Sequence, residues 1–182
     1  MSNDIRASHA LLSLLDRERA NLLAQFERVP VAHRADRPGA DAWSAVEIAE
    51  HVARVETGVA RLLSSRATVP LTATPAELAD AQLTAAKIAT LRTRDVKLSA
   101  PERTHPTGTL EPGMVIAQLA AARNGLRETF GAIADAVLDG AVHPHPFIGL
   151  LTLRAWVALV AHHEARHAQQ LSEVADHWLA AH

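Results

Sequence analysis

Apolar residues recur at every third or fourth position through most of this sequence, and that spacing restricts the fold more than any other feature. Near the start of the chain, for example, Leu15, Leu22 and Phe26 share one helical face while Arg and Glu occupy the other. No segment shows a clear apolar and polar alternation of period two, which is typical of half-buried strands. The chain is therefore predicted to be all-α.

Prolines and capping patterns divide the chain into separate helices. Ser44 with Glu47, and Thr74 with Glu77, are capping boxes, which mark helix starts. The predicted helices span about 4–28, 44–68, 75–93, 115–138 and 152–180. The third has a thin, alanine-rich apolar stripe and is predicted to be a connecting helix. The other four predict a four-helix bundle with long crossover connections, including a loop over 99–112.

Composition limits the class of protein. A chain of 182 residues fits one domain, here 1–182, and 48% apolar residues can fill its core. The absence of Cys excludes disulfides, thiolate ligands and a nucleophilic cysteine. A net charge of −2, with no clustered cations, gives no sign of nucleic-acid or membrane binding. No secretory pattern or span of roughly 20 apolar residues is found, so a cytoplasmic protein is expected.

Histidine is the unusual residue of the composition, with eleven in the chain. On the last predicted helix, His163 and His167 continue the apolar stripe between Val160 and Leu171, one turn apart on one face. Burying two imidazoles in an apolar core costs free energy, whereas at this spacing both rings can reach one metal ion. His51 lies at the edge of the second helix's stripe and is the predicted third ligand, because bundle cores build metal sites from neighbouring helices.

The segment from His163 to His167 also spells the H-E-x-x-H pattern of zinc peptidases, in which Glu164 would be a general base. The later ligands of those enzymes do not follow, since Gln170 and Glu173 occupy the metzincin positions. With no predicted sheet to hold a substrate, a peptidase is a minor hypothesis. Glu164 projects about 100° from His163 on a helix, so it is predicted either as a catalytic residue or as a solvated or supporting carboxylate.

Most of the other histidines are predicted to be ordinary surface residues. His162 is expected at the rim of the site, where it is the substitute if a ligand is misassigned. His143 and His145 fall in a proline-rich loop before the last helix, and they are expected either to line an entrance or to be solvated.

Two segments resemble the DinB/YfiT-like superfamily of metal-binding four-helix bundles. Residues 43–51, with the sequence Trp-Ser-Ala-Val-Glu-Ile-Ala-Glu-His, are similar to the start of the family's second helix and its first His ligand. Residues 163–170 are similar to its last-helix motif, and the approach over 147–152 and Trp156 also match. The resemblance covers nearly the whole chain. It implies one divalent transition metal, Zn or Ni before Fe, Mn or Cu, held by the three histidines already singled out.

Members of this superfamily include metal-dependent transferases that use a low-molecular-weight thiol such as bacillithiol or mycothiol, and many members have no assigned activity. The resemblance therefore implies an S-transferase acting on a small-molecule thiol and an electrophilic substrate, and a homodimer. Three neutral histidines leave an open coordination position, where a metal lowers the pKa of a thiol. Arg154 and Arg166 are candidates to hold the anionic part of such a thiol cofactor, with solvated surface arginine as the alternative for each.

Two other functions stay open from the sequence. One is a metal-dependent hydrolase that uses a metal-bound water, with Glu164 or Glu47 as base. The other is a non-catalytic metal-binding module of the stress response. An open fourth coordination position favours an enzyme, whereas four protein ligands in a closed shell favour a structural metal.

Overall fold

The computed structural model of the chain describes residues 2–95 and 100–180, with side chains from Arg6 onward. Ser99 in the predicted crossover loop, the Ile5 side chain of the first stripe and His182 lie outside these described residues. In chain order the elements are α1 (Ser2–Arg28), α2 (Ala45–Arg66), α3 (Pro75–Asp80), α4 (Ala85–Arg92), α5 (Pro112–Ala132), α6 (Asp135–Gly140), β1 (Val142–His145), β2 (Gly149–Thr152) and α7 (Leu153–Ala180).

The four long helices α1, α2, α5 and α7 form a four-helix bundle, which confirms the predicted fold class. Helix α1 packs along α7, α2 packs along α5, and α2 also contacts α7. The interior consists of two aliphatic clusters, one around Leu15, Leu63 and Leu126 and the other around Ile48 and Leu171. None of the described helices is both long and apolar enough to cross a membrane.

A buried ion cluster separates the two apolar clusters at mid-height of the bundle. Each long helix contributes one member: Arg19 from α1, Glu56 from α2, Arg123 from α5 and Glu164 from α7. Each arginine bonds both carboxylates, and each also donates its Nη1 to a backbone carbonyl on the other arginine's helix at 2.8 Å. The cluster therefore joins all four helices at one level.

The connections differ from the sequence prediction in three places, of which two are interruptions of predicted helices and the third is a hairpin. The predicted helix over 75–93 is two short helices, because Thr84 caps a new start and accepts a hydrogen bond from the amide of Lys87. The predicted helix to Leu138 is interrupted at Ile133 and Ala134, whose backbones are extended.

A short antiparallel hairpin, which the sequence analysis did not predict, lies between α6 and α7. Val142 pairs with Thr152 and His145 with Gly149, whose φ of 77° is readily adopted only by glycine. Pro144 in β1 and Pro146 directly after it end any helix as predicted, since each restricts the preceding residue to extended geometry. Thr152 then accepts a hydrogen bond from the amide of Ala155 at 3.1 Å and so caps the start of the last helix.

Candidate metal centre

The bundle brings together the three histidines that the sequence singles out. His51 projects from α2, while His163 and His167 project from successive turns of α7. The Nε2 atoms of His51 and His163 are 3.2 Å apart, and those of His163 and His167 are 3.1 Å apart. One ligand atom from each ring lies within 4.8 Å of the others. The three imidazoles therefore converge on one point through the same ring nitrogen.

Two of these rings are oriented by hydrogen bonds at their far side. The Nδ1 of His51 donates to the carbonyl oxygen of Thr104 at 2.8 Å, and the Nδ1 of His167 donates to Oε1 of Gln170 at 2.8 Å. A neutral imidazole carries one N–H, so these bonds leave the Nε2 lone pair of both rings directed at the point of convergence. This is how proteins fix the tautomer of a metal-binding histidine.

Burial keeps the three rings in the neutral form that binds metals. It lowers the pKa of His51 to about 4, although the bond to Thr104 partly opposes the shift. Burial first, and then the neighbouring histidines, hold the pKa of His163 and of His167 well below the ordinary range. The site therefore needs no deprotonation to accept a cation at neutral pH.

Local bonds along α2 hold the first ligand in place. The predicted capping box is present, with the Ser44 side chain and Glu47 each bonded to the other's backbone amide, and Arg37 bonds the Glu47 carboxylate. The carboxylate of Glu50 accepts the amide of Thr107 at 2.9 Å. The last of these bonds fixes the crossover loop against α2, and so it helps to place the carbonyl that orients His51.

The histidine cluster forms part of the wall of a cavity of about 680 Å³. This is within the range of sites that hold small molecules. Apolar side chains cover much of the wall, namely Trp43, Val55, Val59, Leu62, Leu91, Phe147, Trp156 and Leu159. The charged side chains among the described lining residues are Asp41, Arg94, Arg103 and Arg166. An external ligand can therefore reach the point on which the three rings converge.

Glu164 belongs to the buried ion cluster rather than to the cavity. Its Oε1 accepts from Nε of Arg19 at 3.0 Å and from Nη2 of Arg123 at 2.9 Å, and its side chain is fully buried. Burial raises the pKa of Glu164, while the two arginines oppose that shift. The predicted catalytic role beside the metal is thus not supported, because one helical position turns this carboxylate toward α1 and α5.

The two predicted cofactor-binding arginines lie in different places. Arg154 bonds Asp135 and Asp139 of α6 at 2.6 Å each, and it also donates to Ser8 at 2.9 Å. It holds α6 against α7 and is not among the described cavity residues, which corrects its predicted role. Arg166 lines the cavity one residue before His167, with 7% of its surface exposed.

The hairpin supplies cavity residues that the sequence analysis left open or missed. His143 and His145 both line the cavity, and the backbone amide of Phe147 donates to Nδ1 of His145 at 3.2 Å. Burial lowers the pKa of His145 to about 4. The sequence offered one signal for this shared position: the two histidines are two residues apart, and that spacing places both side chains on one face of a strand. His162, predicted at the rim, is instead buried with 8% exposed.

Comparisons with known proteins agree with the fold. The model of the DinB superfamily matches residues 14–171. The uncharacterized protein YuaE of Bacillus subtilis is 26% identical over 140 residues, which cover 76% of this chain and 80% of YuaE. The crystal structure of TT2238, a four-helix bundle protein, is 26% identical with a TM-score of 0.59 and covers 91% of this chain and 98% of TT2238. The family match spans most of the described bundle and all three clustered histidines, and the chain therefore belongs to the DinB superfamily.

Proposed function

We propose that this protein is an enzyme that binds one divalent transition metal through His51, His163 and His167 and joins a low-molecular-weight thiol to an electrophilic small molecule. The observation that carries the proposal is the convergence of three Nε2 atoms in the wall of a cavity. Zn and Ni are the first candidates for the metal, and Fe, Mn and Cu also suit a site of imidazole ligands.

The hydrogen-bond count at the cluster favours a cation. His51 and His167 already donate through Nδ1, so only His163 can supply a hydrogen between the three facing nitrogens. One N–H cannot satisfy both neighbouring lone pairs with good geometry, and buried lone pairs without a donor are costly. A divalent cation would accept all three lone pairs at once.

The thiol must come from solution, because the chain contains no Cys. When bound, a divalent metal at three neutral histidines would lower the pKa of a coordinated thiol and so supply a nucleophilic sulfur. In the net reaction the thiol loses its proton, its sulfur bonds the electrophilic carbon, and the leaving group departs with its bonding electron pair. Arg166 lines the cavity and is proposed to hold an anionic part of the thiol, and the apolar wall is proposed to hold the electrophile and exclude water.

The two other functions receive less support from the described residues. A hydrolase needs a base near the histidines, yet Glu164 bonds Arg19 and Arg123, and Glu47 bonds Arg37 and Ser44. A structural metal favours a closed shell of four protein ligands. Within the described part of the chain, the cluster holds three ligands and opens onto a cavity.

Metal analysis and a thiol assay test the proposal. The protein, purified without a histidine tag, is expected to hold close to one equivalent of metal. It is also expected to consume bacillithiol, mycothiol or glutathione in the presence of 1-chloro-2,4-dinitrobenzene. His163→Ala should abolish both properties, whereas His177→Ala, an exposed position on the same helix, should keep both. Absence of metal in replete medium would reject the site, and metal without thiol consumption would reject the S-transfer.

A further inference from the structure

The charges on the cavity wall are unbalanced. Among the described lining residues there are three arginines, Arg94, Arg103 and Arg166, and a single carboxylate, Asp41. The histidines of the wall whose pKa falls to about 4, His51 and His145, add no positive charge at neutral pH. The wall is therefore cationic before any metal is considered, and a bound divalent ion would increase the imbalance.

Three carboxylates close in sequence to the metal ligands, Glu47, Glu50 and Glu164, do not offset this charge, because each already has a partner outside the cavity. Glu47 bonds Arg37, Glu50 accepts the amide of Thr107, and Glu164 bonds Arg19 and Arg123. None of the three carboxylates is among the described lining residues. An anion from solution is the natural partner for the cationic wall.

Arg94 and Arg166 concentrate the positive charge near the metal ligands. Arg166 precedes His167 and is nine-tenths buried, and the two guanidinium groups repel one another. Glu173 holds Arg94 in place with two bonds, from Nε at 3.2 Å and from Nη2 at 2.7 Å. The two guanidinium groups and this one carboxylate together carry a net positive charge, which suits an anionic group such as a carboxylate.

The remaining cavity wall is apolar and aromatic. Trp43 lies beside His51 with a distance of 4.9 Å between ring centroids, and Trp156 lies beside His145 at 5.1 Å. Phe147 is 45% exposed at the end of the hairpin and also lines the cavity. A ligand that fills this space must present an apolar surface away from the arginines.

We infer that the cavity selects a small carboxylic acid with an apolar body, and that Arg94 and Arg166 bind its carboxylate while the aromatic wall holds the body. This inference rests on the proposed function in one respect: the carboxylic acid is taken to be a substrate of the enzyme whose site is this cavity. The carboxylate can belong either to the thiol or to the electrophile, and the two arms of the experiment separate these sources.

The first arm uses the cobalt-substituted protein with 3-mercaptopropionate and its uncharged analogue, 3-mercaptopropionamide. The charge-transfer absorption between thiolate and cobalt reports the Kd of each. We expect the acid to bind about tenfold more tightly, since a charge-assisted bond is roughly twice as strong as a neutral one. Arg94→Gln should reduce that ratio to about threefold or less and leave the Kd of the amide unchanged.

The second arm uses metal-free protein, so that a carboxylate cannot gain affinity from the metal. Calorimetry compares phenylacetate with phenylacetamide, and we expect the acid to bind about tenfold more tightly here as well. Arg94→Gln should again remove most of this preference. The matched control is Arg28→Gln, because Arg28 also pairs with a carboxylate of α7, Asp176, but is not among the cavity residues.

The outcomes are distinct for the two proposals. A preference for the acid in both arms, or in either alone, that depends on Arg94 supports the inference and shows which reactant carries the carboxylate. Equal affinity for acid and amide in both arms, or an equal loss of both in Arg94→Gln, overturns it. Absence of any charge-transfer band rejects thiol binding at the metal, and the metal-free arm then still decides the inference.

Discussion

At the scale of single residues, the three histidines were predictable and their partners were not. The stripe of α7 places His163 and His167 on one face, and this depends only on helical periodicity. The carbonyl of Thr104, which orients His51, comes from a loop 53 residues further along the chain. Glu164 shows the same limit, because periodicity turns it away from His163 but does not reveal Arg19 and Arg123 as its partners.

The buried histidines should make the metal-free fold sensitive to acid. Burial lowers the pKa of His51 from 6.5 to about 4, so below pH 6.5 the unfolded chain binds a proton that the folded chain does not. The free energy of unfolding should therefore fall as the pH decreases from about 6.5 toward 4. For His51 alone, the loss between pH 7 and pH 5 is expected to be roughly 2 kcal/mol.

Urea unfolding of metal-free protein at pH 7 and pH 5 measures this effect. His51→Gln should reduce the difference between the two pH values by roughly 2 kcal/mol, because the variant has no proton to bind at this position. His177→Gln, at an exposed position of α7, should leave the difference unchanged. An identical pH dependence in wild type and His51→Gln would contradict the expected shift.

At the scale of elements, local signals predicted helix starts well and interruptions poorly. Both capping boxes form as expected at Ser44 and Thr74, because capping is decided within four residues. The break between α3 and α4, where Thr84 caps a new start, and the hairpin of β1 and β2 are also held by hydrogen bonds to each other, which join positions distant in the sequence. The amide of Thr152, for example, donates to the carbonyl of Ala81, and Lys87 donates to that of Leu150.

The crossover loop should control metal affinity through the bonds that attach it to α2. Glu50→Gln keeps the side-chain shape but removes the charge from the bond to the amide of Thr107. The loop should then open more often, and with it the Thr104 carbonyl that orients His51. Hydrogen exchange over 100–110 is expected to accelerate, and metal affinity measured against a chelator to fall about tenfold.

A carboxylate of the same loop provides the control for Glu50. Glu102 is exposed, and its side chain takes no part in the bonds to α2 described above. Glu102→Gln should therefore leave both hydrogen exchange and metal affinity close to wild type. A Glu50→Gln variant with faster exchange but unchanged metal affinity would separate the loop from the site and disprove the coupling.

At the scale of the whole molecule, we expect the ion cluster to set the register of the four helices. Each long helix contributes one charged side chain, and the hydrogen bonds among these side chains are directional. The apolar clusters above and below the ion cluster pack without directional bonds. Glu164 directly follows His163, and Glu56 lies five residues after His51. Fixing the heights of these two carboxylates therefore also fixes the heights of the ligands on α2 and α7.

Removing one member of the cluster should destabilise the bundle strongly. Arg123→Met leaves Glu56 and Glu164 buried with Arg19 as their remaining arginine, and breaking a buried pair in this way costs about 3 to 5 kcal/mol. Urea unfolding at pH 7 measures the loss. The control is Arg127→Met on the same helix, whose ion pair with Asp16 is partly exposed and should contribute less than about 1 kcal/mol.

Replacing the whole cluster separates stability from register. The variant that combines Arg19→Met, Glu56→Leu, Arg123→Met and Glu164→Leu buries no charge there, so it should recover most of the stability that Arg123→Met loses. If the cluster sets the register, this fourfold variant should still bind metal more weakly than wild type, because leucine and methionine permit α7 to shift along α2. Wild-type metal affinity in the stable fourfold variant would show that apolar packing alone aligns the three histidines.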